Sequence, residues 1–302
     1  MSGLRCAFLV MADEGDFVTD YKLGIAPLES LGWTVELVSW RETATDWNRF
    51  QAVYICTPWD YPDDTATFMA TLEAIDRSAA LLVNDLSLVR WTLAKTYLRD
   101  LQERGANIVP SLWHHHLVGN ELDAWFAHFA TDRIIVKPIV STNATDTFLL
   151  QKPVSPETLA TLLRTFASRD FVVQPFIENI QSEGEFSLFF LGGEYSHAIL
   201  KVPKARDFRV QEEHGAEIRS VQPEDALLQA ARADLARVEP QPVYGRWDYV
   251  RGPDGRFLIM EMEIIEPSLY LRMDSEAPAR FARAFDRHVR DNTAYARKET
   301  RE

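Results

Sequence analysis

Arg246-Trp247-Asp248-Tyr249-Val250-Arg251 leads into Gly252-Pro253-Asp254-Gly255 and then Arg256-Phe257-Leu258-Ile259-Met260-Glu261-Met262-Glu263. Two alternating runs about a Gly/Pro/Asp turn spell a β-hairpin. With 252–255 as the loop, Arg251 faces Arg256, Asp248 faces Ile259 and Arg246 faces Glu261. Side chains alternate along a strand, so Arg246, Asp248, Glu261 and Glu263 share one face. Trp247, Tyr249, Met260, Met262 and Ile264 take the other, an apolar surface suited to a core. Three carboxylates beside one arginine repel one another unless more positive charge lies among them. Such oxygen ligands suit Mg²⁺, which uses one or two carboxylates together with substrate phosphates. A solvated acidic strand face is the plainer alternative, and phosphate-binding cations elsewhere in the chain decide between the two.

Those cations are present. Lys137 ends the apolar strand Arg133-Ile134-Ile135-Val136-Lys137-Pro138, where Pro138 stops the ladder and leaves an ammonium at the sheet rim. A snorkelling lysine would look the same in isolation. Lys201 closes Ser196-His197-Ala198-Ile199-Leu200-Lys201, and Arg209 lies in Asp207-Phe208-Arg209-Val210-Gln211, expected as a strand over 208–211. Ser141-Thr142-Asn143-Ala144-Thr145-Asp146 is a loop of small hydrogen-bonding residues able to close over a nucleotide. Gln174, Pro175, Phe176 and Ile177 form a hinge whose backbone groups can meet an adenine edge. Glu185, after Glu183-Gly184, can accept from ribose hydroxyls.

Around this region the chain has ordinary globular proportions. At 302 residues it can bury a sizeable core, and 46% hydrophobic with 25% charged residues is a soluble composition. No apolar run reaches the roughly 18 residues needed to cross a bilayer. The start, soon interrupted by Asp13 and Glu14, does not resemble a signal peptide. A net charge of −13 without a long basic run argues against nucleic acid as a partner. Cys6 and Cys56 sit in apolar runs and are expected as buried, reduced thiols of a cytoplasmic protein. Monomer and homodimer both stay open.

The first ninety residues alternate strand (6–11, 34–40, 52–56, 81–84) with helix (21–31, 65–78), which implies a small parallel α/β sheet. The turn Ala12-Asp13-Glu14-Gly15-Asp16 lacks GxGxxG, and its acids would repel a pyrophosphate while receiving an amine. A helix over 86–104 carries Lys95. Strands over 133–138 and 171–174 flank a helix over 156–169. Longer antiparallel strands follow from Glu185. The expected division is therefore 1–88 as an α/β substrate domain, 89–170 as a small α+β subdomain and 171–302 as a larger one carrying the metal site.

These residues, in this order over roughly 89–270, resemble the ATP-grasp superfamily, in its prokaryotic glutathione-synthetase-like branch. Glu185-Phe186-Ser187-Leu188 and Glu266-Pro267-Ser268-Leu269 are most similar to ligases and D-cycloserine-type cyclo-ligases acting on amino-acid-like carboxylates. The resemblance implies a two-subdomain ATP-grasp fold behind the N-terminal domain, holding ATP between the subdomains. Lys95 and Lys137 would contact phosphates, residues 174–177 the adenine and Glu185 the ribose. Asp248, Glu261 and Glu263 would hold two Mg²⁺ ions, with Mn²⁺ able to replace them. Lys201, Arg209 and Arg246 would balance charge on the transferring phosphoryl group, since phosphoryl transfer needs positioned cations more than a covalent participant. The implied reaction joins a small-molecule acid to an amine, between molecules or by ring closure, through an acylphosphate with release of ADP and phosphate.

The sequence also departs from that pattern. The loop 141–146 has no glycine, Glu213-His214-Gly215 stands where paired glycines are usual, and Glu263 takes a position that is often asparagine. These changes keep open a second reading, a nucleotide-binding protein with little or no ligase activity. Other features have plain expectations: His114-His115-His116 as a solvated loop, His197 as a packing residue, and Arg251 with Arg256 as a solvated pair. Trp59 is expected to face the cleft.

Overall fold

The computed structural model describes residues 3–119, 121–205 and 207–299. Strands β1 (Leu4–Val10), β2 (Trp33–Ser39), β3 (Ala52–Thr57) and β4 (Leu81–Val83) form a parallel sheet in the order β2-β1-β3-β4, with α1 (Ile25–Ser30) and α2 (Thr65–Asp76) as crossovers. Strands buried on both faces need cover on both sides. On one face Trp40, Phe50 and, from α2, Phe68 and Leu72 pack against Leu9 and Ile55. The cover of the other face comes partly from the far end of the chain. Phe281 of the C-terminal helix meets Phe8 and Tyr54, Phe285 stands edge-on to Trp33, Val289 joins the same cluster, and Asp286 accepts from the Trp33 indole at 2.9 Å.

The expected helix over 86–104 is two helices, α3 (Leu86–Thr92) and α4 (Tyr97–Glu103). Lys95 therefore stands in the break between them rather than on a helix, and its N–H donates to Ile139 O at 2.8 Å. A second, antiparallel sheet follows: β5 (Leu112–His114), α5 (Leu122–Phe129), β6 (Arg133–Pro138), β7 (Phe148–Gln151), α6 (Pro156–Thr165) and β8 (Phe171–Pro175), in strand order β5-β8-β6-β7. Because β8 pairs with β6, this sheet runs past the expected boundary at 170/171 as far as Pro175.

After the short helix α7 (Asn179–Ser182), the third sheet comprises β9 (Glu185–Leu191), β10 (Glu194–Val202), β11 (Glu217–Ser220), β12 (Tyr244–Arg251) and β13 (Phe257–Glu263). Its order is β11-β10-β9-β12-β13. Helix α8 (Asp225–Leu235) packs Leu227, Ala231 and Leu235 against it, beside Leu98 and Leu101 of α4. The C-terminal helix is α9 (Ala277–Glu299). No helix among the described residues is long and apolar enough to cross a membrane. Residues 208–211 form no strand. The Asp207 carboxylate accepts from the N–H groups of Phe208 and Arg209, which removes donors a ladder would need. The edge strand instead comes later, at β11.

The hairpin of β12 and β13 forms with its faces as expected but in a different register. Asp248 pairs with Glu261 and Arg246 with Glu263, while nearer the tip Tyr249 pairs with Ile259 and Arg251 with Phe257. Met260 is the extra residue of a β-bulge. The bulge moves the strand by whole residue pairs at its far end, so the charged face stays intact. Met260 is the exception: it lines the cleft, and Ile259 packs with Trp247 and Tyr249 in its place. At the tip Arg251 is no solvated partner of Arg256. It binds Glu183 and Glu224 and lies over Phe257, while Arg256 binds Asp254.

Asn84 joins the N-terminal sheet to this hairpin. Its Nδ2 donates to Tyr244 O at 2.9 Å and Ile264 O at 2.8 Å, and its Oδ1 accepts from Val243 N at 2.6 Å. The Tyr244 hydroxyl lies beside it, 3.0 Å from Val83 O and 2.9 Å from Ile265 O. Replacing a buried amide leaves its former partners unsatisfied, at roughly 1–3 kcal/mol each way for such groups. Asn84→Ala is expected to lower unfolding free energy by about 3 kcal/mol in a denaturant titration; a loss under about 1 kcal/mol would show that the two units are held together by packing instead.

Candidate active site

The polar face of the third sheet looks into a cleft of about 220 Å³, bounded by the second sheet, the loop after β6, and Trp59 and Tyr61 of the N-terminal unit. Alternation places Glu185 and Ser187 of β9, Lys201 of β10, Arg246 and Asp248 of β12 and Glu261 and Glu263 of β13 on this face. The apolar face packs on α4 and α8. Gly184 sits at φ 115°, where a Cβ would lie 2.7 Å from Lys201 O, so only glycine lets β9 enter beside β10 here.

The charges on this face are paired with one another. Arg246 grips Asp248 with both Nε and Nη2, the latter at 2.9 Å, and its Nη2 also binds Glu263. Lys201 bridges Glu185 at 2.5 Å and Asp248 at 3.3 Å. Ser187 Oγ donates to Asp248 Oδ1 at 2.5 Å. Burial alone would push the Asp248 carboxyl up, but Arg246 and Lys201 outweigh it and hold the group down at about 2. Glu263 goes the other way, pushed up to about 7 by burial, with Glu261 and Asp248 adding repulsion that Arg246 only partly offsets.

Lys95 Nζ lies 2.7 Å from Glu261 and donates to Ser141 O at 3.0 Å, tying the loop after β6 to the acidic face. The Glu261 carboxyl stays below its ordinary value because Lys95 and Lys137 together overcome its burial. Lys137 is 8% exposed, and burial lowers its pKa. Among the described residues its ammonium has no ion-pair or hydrogen-bond partner, although it lines the cleft.

The loop over the cleft does without glycine by placing Asn143, Ala144 and Asp146 in the left-handed region, at φ 50°, 56° and 53°. Asn and Asp tolerate that conformation; alanine does so at a cost of about 1–2 kcal/mol. Thr142 Oγ1 donates to Trp59 O at 3.0 Å, so the loop also touches the N-terminal unit.

Other expected site residues are placed less simply. Gln174, Pro175, Phe176 and Ile177 line the cleft, but the Phe176 N–H is taken by Arg133 O at 2.9 Å and Gln174 Nε2 by Ser111 at 2.9 Å. Glu185 is engaged by Lys201, so it stands in the charge network. Arg209 lines the cleft, yet its Nη2 is 2.8 Å from Asp207, apart from the group around Arg246. Among the described residues no three His, Cys, Asp or Glu side chains converge closely enough to hold a metal ion. The donor set still fits a hard cation: Glu261 and Glu263 keep 30% and 29% side-chain exposure, and Asp248 adjoins them at 4%.

His114 ends β5 stacked on Phe171 and half-buried, and only His115 of the triplet reaches Asp170. Cys6 and Cys56 are buried free thiols, Cys6 pushed up to about 12 by burial. Among the cleft residues that sequence reasoning missed are Phe17, Tyr61 and Glu266. Glu266 stood in the motif Glu266-Pro267-Ser268-Leu269, but nothing in that wording showed the side chain entering the cleft.

Known proteins share this architecture. A family model of the N-terminal domain of D-cycloserine synthetase DcsG matches residues 6–84. The cycloserine biosynthesis protein DcsG of Streptomyces lavendulae is 33% identical over 274 residues, covering 84% of this chain and 89% of that protein. A crystal structure of D-cycloserine synthetase DcsG superposes with a TM-score of 0.80 at 28% identity, over 94% of this chain and 99% of that one. D-alanine–D-alanine ligase from Bacillus anthracis shares the fold at a TM-score of 0.65 and 14% identity, over 98% of this chain and 99% of that one.

His197, stacked on Phe189 at 4.2 Å, supports the loop beneath the cleft: its Nε2 lies 3.1 Å from Leu269 O and its Nδ1 2.9 Å from Ser196 Oγ. Burial lowers its pKa from 6.5 to about 4. The folded state thus prefers the neutral ring, and its contribution to stability is complete above pH 6.5 and lost as pH falls towards 4. Up to about 3 kcal/mol is at stake. Unfolding titrations at stepped pH should show a decline between these values that His197→Gln flattens; parallel curves for the two proteins would remove His197 from the account.

Proposed function

The chain belongs to the D-cycloserine synthetase family of ATP-grasp ligases, and on that footing we propose that it uses MgATP to activate the carboxylate of a small amino-acid-like substrate and couple it to an amine. As an ATP-grasp ligase it is an enzyme that forms carbon–nitrogen bonds. The observation that carries the finer reading is the buried, unpaired ammonium of Lys137 in a cleft where the other buried cations have carboxylate partners. A desolvated cation without a counter-charge is costly, and a phosphate oxygen would relieve that cost.

Bound MgATP would supply the phosphoryl group that makes the carboxylate an acylphosphate, which the amine displaces to leave an amide, ADP and phosphate. Glu261 and Glu263, with Asp248 behind them, would hold Mg²⁺, two ions in this reading, which would supply positive charge to the phosphates; Mn²⁺ suits the same oxygens. Lys95 would then exchange its Glu261 contact for a phosphate. Arg246 and Lys201 keep Asp248 ionised, and Arg246 orients both Asp248 and Glu263, a positioning role. Arg209 would turn from Asp207 to the substrate's developing negative charge, where its planar fork suits a carboxyl or acylphosphate. Residues 174–177 would line the adenine pocket. Glu185 would reach a ribose only by sharing its contact with Lys201.

The family relationship supports a ring-closing reaction in which acid and amine belong to one molecule; joining two molecules uses the same groups. A cytoplasmic location is proposed from the two buried thiols. The test is product analysis across a panel of amino acids with MgATP. ADP and phosphate should appear only with a productive acid, and AMP would contradict the acylphosphate route. Lys137→Ala and Glu261→Gln should each lower kcat/KM by about 10²–10³, and an unchanged rate in either would withdraw the corresponding role.

A further inference from the structure

Among the described residues, pairing the buried charges of the cleft leaves one acid as well as one base without an ion-pair partner. Glu185, Asp248, Glu261 and Glu263 are each bound by a lysine or arginine. Glu266 is not. It is 8% exposed, lines the cleft, and among the described residues makes no ion pair. Its neighbour is a phenol, Tyr61, itself 4% exposed. Trp59 fixes the position of this residue, since its indole Nε1 donates to Glu266 O at 2.9 Å. Phe17 stands edge-on to Trp59 with ring centres 5.1 Å apart, and Phe17, Trp59, Tyr61 and Glu266 all border the same cavity.

We infer that Glu266, with the aromatic wall of Phe17, Trp59 and Tyr61, binds the primary ammonium group of the substrate. Resting on the ligase reading above, this inference makes Glu266 the residue that recognises the substrate's ammonium from the side of the N-terminal unit. A buried carboxylate supplies the counter-charge, and Tyr61, its ring stacked on Phe68, offers its hydroxyl to that carboxylate. The arrangement is also economical in charge. Lys137 draws the anionic end of the ternary complex from the side of the second sheet, and Glu266 draws a cation from the side of Trp59 and Tyr61. Burial, with repulsion from Glu263 and Glu261, pushes the Glu266 carboxyl up to about 8. A purely structural Glu266 would need only its hydrogen bond to Tyr61.

The test compares D-cycloserine, which carries a primary ammonium, with isoxazolidin-3-one, the same ring without it, by calorimetric titration of the full chain with and without MgADP. The wild-type protein should bind D-cycloserine about tenfold or more tightly than the deamino ring, the scale of one charged hydrogen bond. Glu266→Gln, checked by its unfolding transition, should bring the two ligands within about twofold of each other. Tyr61→Phe should keep most of the discrimination. Retained discrimination in Glu266→Gln, or equal or undetectable binding of both ligands by the wild-type protein, would overturn the assignment. MgADP binding in the same titrations reports separately on the nucleotide reading, so loss of one does not imply loss of the other.

Discussion

Arg246 and Lys201 hold the centre of the molecule in place. Both are buried with Asp248 between them, and Glu185 and Glu263 sit at the two ends of the chain of contacts. Removing such charges from water costs several kcal/mol per ion, and only close geometry with full hydrogen bonding compensates. Four strands meet that demand: β9 brings Glu185 and Ser187, β10 Lys201, β12 Arg246 and Asp248, and β13 Glu263. Because the strands are adjacent in the third sheet, the network also fixes their relative register. Its orientation function follows directly. Asp248 cannot rotate without breaking its contacts to Arg246, Lys201 and Ser187, so it presents a defined edge towards Glu261.

The remaining groups are less tightly held, and they are the ones that face a ligand. Glu261 and Glu263 keep partial exposure, Lys95 divides itself between Glu261 and the loop carbonyl of Ser141, and Lys137 has no partner among the described residues. A rigid charged floor beneath adjustable acids and bases suits a site that must exchange internal ion pairs for phosphate and metal. The N-terminal unit takes part in this arrangement. Asn84 and Tyr244 clamp it to the hairpin, Trp59 reaches both Glu266 and Thr142, and α9 returns to cover its sheet.

Much of this was legible in the sequence wherever chemistry and period agreed. The hairpin's two faces were assigned correctly except at Met260 and Ile259, because alternation survives a displacement by whole residue pairs. The register itself was not legible, since the bulge at Met260 carries no glycine or other mark. The parallel sheet of the N-terminal unit could be read from its apolar runs; that α9 covers it could not, because the two lie at opposite ends of the chain. The break at Lys95 has no Pro or Gly to announce it and arises from a tertiary bond to Ile139 O. Residues 208–211 have the alternation of a strand, yet the Asp207 side chain captures their backbone donors. Tyr61 and Glu266 meet only in the folded chain.

The most direct test of the charge-exchange account is the anomalous scattering of Mn²⁺ in a crystal grown with a non-hydrolysable ATP analogue. The account predicts Mn²⁺ density at Glu261 and Glu263, Lys95 released from Glu261, and Lys137 within hydrogen-bonding distance of a phosphate oxygen, with the Arg246–Asp248–Lys201 contacts unchanged. Density elsewhere, or a bound analogue that leaves Lys137 unpaired and Lys95 still on Glu261, would contradict it.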